Sequence, residues 1–229
     1  MWKQIKIIPV KYIHMDFVVD MMKGLLLGAS VFSVGILMDR FISYNEYKQL
    51  IEEEKNRQLY SDGMKSAKIN LLVITPISYS IATKTIISYE TLSFQLLDCI
   101  LVIFIHNFGY FLTHKLMHNY QLMYKWHSFH HKFDNILIPS IGNATSKIEF
   151  ILAYIITSFV AGYAVRPNEI TFITSICIIS FFNLCIHCEQ LKNICWIPGF
   201  VTPLEHHQHH NSKTKKYSGS IVKYDWIFE

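Results

Sequence analysis

NFGYFLTHKLMHNYQLMYKWHSFHHK, residues Asn107 to Lys132, carries His114, His118, His127, His130 and His131 directly behind a long apolar run. On a helix, residues three and four apart share a face, so His114 and His118 converge, as do His127, His130 and His131. A third set with the same spacing, His206, His209 and His210, lies in the stretch TPLEHHQHH. Histidine is the commonest side-chain ligand for transition metals, and neutral imidazole suits iron, zinc, copper and nickel alike. So many imidazoles exceed what one ion needs.

The composition sets the surroundings of these histidines. The chain has 229 residues, enough for a single domain, and 51% of them are apolar, which leans toward a membrane protein. A net charge of +4 is too small to argue for nucleic acid, and lysines beside apolar spans read as positive-inside flanks. The cysteines Cys99, Cys177, Cys185, Cys188 and Cys195 imply no disulfide framework and suit a reducing face. Cys185 and Cys188 flank His187, but a thiolate zinc site normally wants a second spaced pair.

Read in order, the chain begins with an expected interfacial tail, in which Lys3, Lys6 and Lys11 mix with Trp2, Ile7 and Phe17. The apolar run Met21 to Met38 is marginal for crossing a bilayer, which takes about 20 residues. Asp39 to Lys68 is polar, with Glu52, Glu53 and Glu54 together, and reads as a solvated helical connector. Ile69 to Tyr89 is apolar but interrupted by Pro76 and Lys84. Leu92 to Leu112, Phe150 to Val165 and Ile170 to Ile186 are clearer spans. Only Arg166 to Glu169 separates the last two, so they form a tight antiparallel helical hairpin. The division expected is residues 1–68 as an N-terminal segment and 69–229 as a catalytic membrane unit.

This pattern predicts an all-α, multi-pass membrane bundle of four to five transmembrane or interfacial helices. If Leu92 to Leu112 crosses once, the hairpin leaves and returns, and every histidine group emerges on one face. Lys115, Lys125, Lys132, Lys147, Lys192 and Lys213 share that face while the turn offers Arg166, so the expected side is cytoplasmic.

His114-x-x-x-His118, His127-x-x-His130-His131 and Thr202-Pro203-x-x-His206-x-x-His209-His210 resemble the histidine boxes of the fatty acid hydroxylase and sterol desaturase superfamily. The resemblance runs from about Leu92 to Glu229, with Tyr217-Ser218-Gly219 and Tyr224-Asp225-Trp226 in place of closing family elements. It implies a membrane enzyme with two iron ions, held by the eight box histidines together with His187, that hydroxylates or desaturates a lipid using O2. Zinc can replace iron in such sites. Asn107, Glu149 and Asp225 would support the ligands from outside. Asn107 stands where the family usually has Asp, and Ser146 where a His often precedes the Glu.

The chemistry agrees. An unactivated lipid C–H bond needs a stronger oxidant than any side chain, so a redox metal must act on O2. The chain has no haem-binding cytochrome domain and no GxGxxG fingerprint. A separate electron donor is therefore expected, a b-type cytochrome, a ferredoxin or an NAD(P)H reductase. His106 reads as a hydrogen-bonding group inside its helix, His14 as a tail residue, and His207 as pointing away from its neighbours.

Overall fold

The computed structural model describes residues 10–134, 136–193, 197–219 and 221–228, with side chains from residue 16 onward. The expected interfacial tail around Trp2, the side chain of His14 and the thiol of Cys195 lie outside the described residues. In chain order the helices are α1 (Val10–Phe41), α2 (Tyr44–Glu52), α3 (Glu54–Ile69), α4 (Thr75–Thr85), α5 (Leu96–Asn119), α6 (Gln121–His127), α7 (Lys147–Val165), α8 (Glu169–Ile186), α9 (Pro203–Ser212) and α10 (Asp225–Phe228). Among the described residues there is no strand, as the sequence predicts.

Four segments are long and apolar enough to cross a membrane: Asp16–Phe41, Leu96–Asn119, Lys147–Val165 and Glu169–Ile186. The run Met21 to Met38 is thus the middle of a 26-residue segment of sufficient length. Only 33% to 44% of each apolar window is buried within the protein, leaving residues such as Met22, Leu26, Leu97, Val160 and Phe181 exposed. Water would penalise that surface; hydrocarbon would not.

The interrupted run from Ile69 behaves differently. Its helix ends at Thr85, short of Tyr89, and it is not among the four spans. Pro76 has no N–H to give, and the π turn Asn70–Ile74 just before it absorbs the break, with Thr75 Oγ1 donating to Asn70 O at 3.0 Å. A close packing partner steadies the irregular turn. Gly28 of α1 lies so near that a Cβ there would stand 1.8 Å from the Leu71 carbonyl oxygen, so only glycine permits this contact.

The two ends of the bundle are built differently. At one end Arg166 adopts the left-handed region (φ 57°) and donates to Thr85 O, while Asn168 caps α8 through Thr171 N and reaches Ser93 O. That is the expected tight turn. At the other end α5 finishes, α7 starts and α8 finishes, so the histidine segments collect there. The connector is helical, as expected, with Glu52 to Glu54 exposed, but it is not solvated all round. Tyr47, Leu50, Met64 and Ala67 bury an apolar face against Phe133, Leu137, Ile138 and Ile141. Asp39 Oδ1 accepts from Ser140 N at 2.9 Å and Asn70 Nδ2 donates to Thr145 O at 3.0 Å, fastening the loop beneath the histidines.

Candidate metal centre

Each histidine is placed by an element with its own reason to form there. α5 delivers His114 and His118 one turn apart. His127 closes α6, and the 3-10 turn His130–Phe133 carries His130 and His131. α9 starts with a capping box, Thr202 accepting from Glu205 N while the Glu205 carboxylate accepts from Thr202 N, and with Pro203 in its first turn. That start fixes the phase of His206, His209 and His210. His187 follows the last residue of α8.

The nine side chains sort into two groups: His114, His118, His127, His131 and His209 in one, His130, His187, His206 and His210 in the other. The first sequence box stays together, and the other two are each split. His127 and His131, four apart, face one group, and His130 between them faces the other; His206 and His210 share a group that His209 leaves. Within the first group His114 Nε2 is 3.0 Å from His127 Nε2, and His131 Nε2 is 3.2 Å from His118 Nε2. Within the second, His187 Nε2 lies 3.3 Å from His130 Nε2 and 2.9 Å from His206 Nε2, which is 3.2 Å from His210 Nε2.

These spacings test whether metal fits. Two nitrogens each about 2.1 Å from one ion and about a right angle apart stand about 3.0 Å from each other. The outer nitrogens give the second test. His114 Nδ1 faces Tyr217 O at 2.8 Å, His187 Nδ1 faces Asn183 O at 2.7 Å and His209 Nδ1 faces Lys215 O at 2.9 Å. Carbonyls only accept, so each Nδ1 carries the proton and each Nε2 turns a lone pair inward. His127 Nδ1 donates in the same way to Glu149 Oε1 at 2.7 Å. Converging lone pairs with no donor between them suit a cation, so the residues fit a pair of metal ions.

Electrostatics point the same way. Burial, reinforced by neighbouring imidazoles, pushes His127, His130, His206 and His210 well below the usual histidine value. Burial holds His187 and His209 at about 4, against some relief from the carbonyl each one meets. Neutral rings at pH 7 are the form that ligates.

The family model for fatty acid hydroxylase matches residues 99–229, more than half of the chain. The chain belongs to the fatty acid hydroxylase family. No curated protein and no solved structure matches it. The family is one of lipid hydroxylases and desaturases, and the match begins inside α5 and takes in every one of the nine histidines.

The supporting residues named from the family pattern fall at three distances from the rings. Glu149 touches one directly, through His127, while Ser146 caps its helix by accepting from Glu149 N. Asp225 acts one step away: its carboxylate accepts from Tyr217 N and Ser218 N at 2.8 and 3.1 Å, holding the carbonyl that meets His114. Asn107 sits further back in α5 and accepts from Ile221 N at 3.2 Å, tying the C-terminal loop to the helix. His106 bonds Thr157 and Ser158, and His207 turns to Glu189 at 2.9 Å, outside both groups. Among the described residues no thiol joins either group; Cys188 lies by Ser43 and Cys185 packs on Met38 and Leu184.

Sequence reasoning missed Asp134, whose carboxylate stands beside His131 and His210. Its signal was present, three residues after His131, but nothing local announces a partner as distant as His210. It also missed an apolar, partly open pocket between the helices, walled by Val31, Leu71, Phe159, Phe172 and Ile176. Asn143 and Asn183 also line that pocket, and the Asn183 carbonyl is the group that orients His187.

Proposed function

We propose that this chain is a membrane di-iron enzyme that hydroxylates or desaturates a lipid, taking O2 as co-substrate and electrons from a separate carrier, with its metal centre at the cytoplasmic face. The observation that carries the reading is the sorting of nine imidazoles into groups of five and four with their inner nitrogens about 3 Å apart. When bound, the two irons would supply the O2-derived oxidant that an unactivated C–H bond requires. His114, His118, His127, His131 and His209 would hold one, His130, His187, His206 and His210 the other.

The rest of the work belongs to the chain. Glu149, Asn183, Tyr217 and Lys215 keep the outer protons in place, so the rings need no reorganisation during turnover. The apolar cavity between the helices accepts a hydrocarbon chain from the bilayer and excludes water from its path. Lysines on the histidine side keep that end in the cytoplasm, where an electron carrier can reach it.

The test is to purify the chain from iron-replete cells, count its metals, and follow O2 uptake against reductant while comparing lipids of cells with and without it. Two irons per chain, O2 uptake coupled to reductant and a lipid gaining a hydroxyl group or double bond are expected. Two zincs with no reductant consumed would point instead to a non-redox metalloprotein.

A further inference from the structure

Four of the nine histidines, His114, His127, His187 and His209, each meet an outer acceptor of their own; His131 and His210 face the same one. His131 turns Nε2 toward His118 in the group of five, and His210 turns Nε2 toward His206 in the group of four. Their outer Nδ1 atoms come back to the same oxygen, Asp134 Oδ1, at 3.6 and 3.8 Å. Both Nδ1 atoms and that Oδ1 are buried with no other hydrogen-bond partner. The second oxygen is occupied, because Lys213 Nζ stands 2.6 Å from Oδ2.

We propose that Asp134 is a positioning residue common to both metal groups, its Oδ1 accepting from the outer N–H of His131 and of His210 so that one carboxylate orients and charges a ligand of each ion.

Three physical points support this. A neutral imidazole that ligates through Nε2 must carry its proton on Nδ1, and a buried N–H left without an acceptor is costly. For both rings the nearby acceptor is this one oxygen, a few tenths of an ångström beyond hydrogen-bond length, which a small ring rotation closes. Glu149, by contrast, meets only His127, and the carbonyls of Asn183, Tyr217 and Lys215 meet one ring each. Lys213, in the left-handed conformation that ends α9 (φ 59°), pins the carboxylate so that it cannot swing in as a ligand itself. A third ion among His131, Asp134 and His210 would need a second lone pair from rings that have only one to give.

The inference rests on the two-ion reading of the site. Its test uses the full chain stripped of metal and titrated with Co2+, following the visible absorption of each bound ion against a competing chelator. Asp134→Asn should weaken both ions by 10- to 100-fold and shift both absorption bands, with the helix content and apo melting temperature kept. Glu149→Gln should weaken one ion only. Lys213→Met keeps the carboxylate but frees it, so both ions should weaken by less than in Asp134→Asn; if Asp134→Asn does not fold, this variant decides. Wild-type affinity at both ions, weakening of one alone, or a third ion that Asp134→Asn removes would overturn the proposal. A wild-type chain that fails to bind two ions overturns it together with the di-iron reading. A chain that binds two ions as described yet turns over no lipid counts only against the latter.

Discussion

Glu149→Gln isolates what one buried carboxylate does for one metal. In the native chain Glu149 Oε1 accepts from His127 Nδ1 at 2.7 Å, and both side chains are at most 2% exposed. The substitution keeps size and shape and leaves an amide oxygen that can still accept, so only the charge is lost. A hydrogen bond to a charged partner contributes about 1.5–3 kcal/mol and a neutral one about 0.5–1.5. The difference, roughly 1–1.5 kcal/mol, is close to tenfold in affinity. Because His127 belongs to the group of five, that tenfold should fall on the ion held there and leave the other unchanged. Glu149→Ala also strands the His127 N–H, a further cost of about 1–3 kcal/mol, for a total of roughly 100-fold. The assay is equilibrium competition with a chelator, resolving two binding steps. If the charge is irrelevant, Glu149→Gln binds both ions as the native chain does; if the weaker step belongs to the group of four, the assignment of His127 is wrong.

Three further outcomes follow from other contacts. A Cβ on Gly142 would stand 2.8 Å from His187 Nδ1 and 3.2 Å from Asn183 Nδ2, so Gly142→Ala should push the ring off the Asn183 carbonyl. Metal analysis should then find the ion of the group of four lost or weakened by about tenfold or more, and a full complement of two tightly bound ions would refute this. For the metal-free chain, His187 and His209 titrate near 4 when folded against an ordinary 6.5. The unfolded chain binds more protons in that window, so stability should fall steadily from about pH 6.5 to 4 and stay level in this respect above 7; a melting temperature constant from pH 7 to 4.5 contradicts it. Ile176→Trp puts an indole into the apolar cavity and should cut lipid turnover by about tenfold or more while leaving the metal count alone. Undiminished turnover would show that substrate travels elsewhere.

Much of this centre was legible because histidine announces itself and helical spacing carries it. The eight box histidines, the hairpin turn at Arg166 to Glu169 and the location of His187 at the histidine end all followed from residue type, spacing and apolar run length, while His187 became a ligand candidate through the family resemblance. Which group each histidine joins did not follow. His127, His130 and His131 share a stretch, yet the chain leaves α6 at His127 and tightens into a 3-10 turn at His130, so neighbours in sequence diverge. The carbonyls that hold His114, His187 and His209 were illegible for a simpler reason: a main-chain oxygen has no residue type to read. Asp134 could be seen but not paired, since His210 reaches it only through the fold. The apolar face of the connector was hidden by its charges; Tyr47, Leu50, Met64 and Ala67 are spread among polar residues and become a face only when wound into α2 and α3.

The central claim is that one chain holds two irons, each by its own set of imidazoles. An anomalous difference map collected at the iron edge, from crystals of the chain grown with Fe2+, measures that directly. Two peaks are predicted, one within bonding distance of His114, His118, His127, His131 and His209, the other of His130, His187, His206 and His210. A single peak, or a peak bonded to the thiols of Cys185 and Cys188, would contradict it.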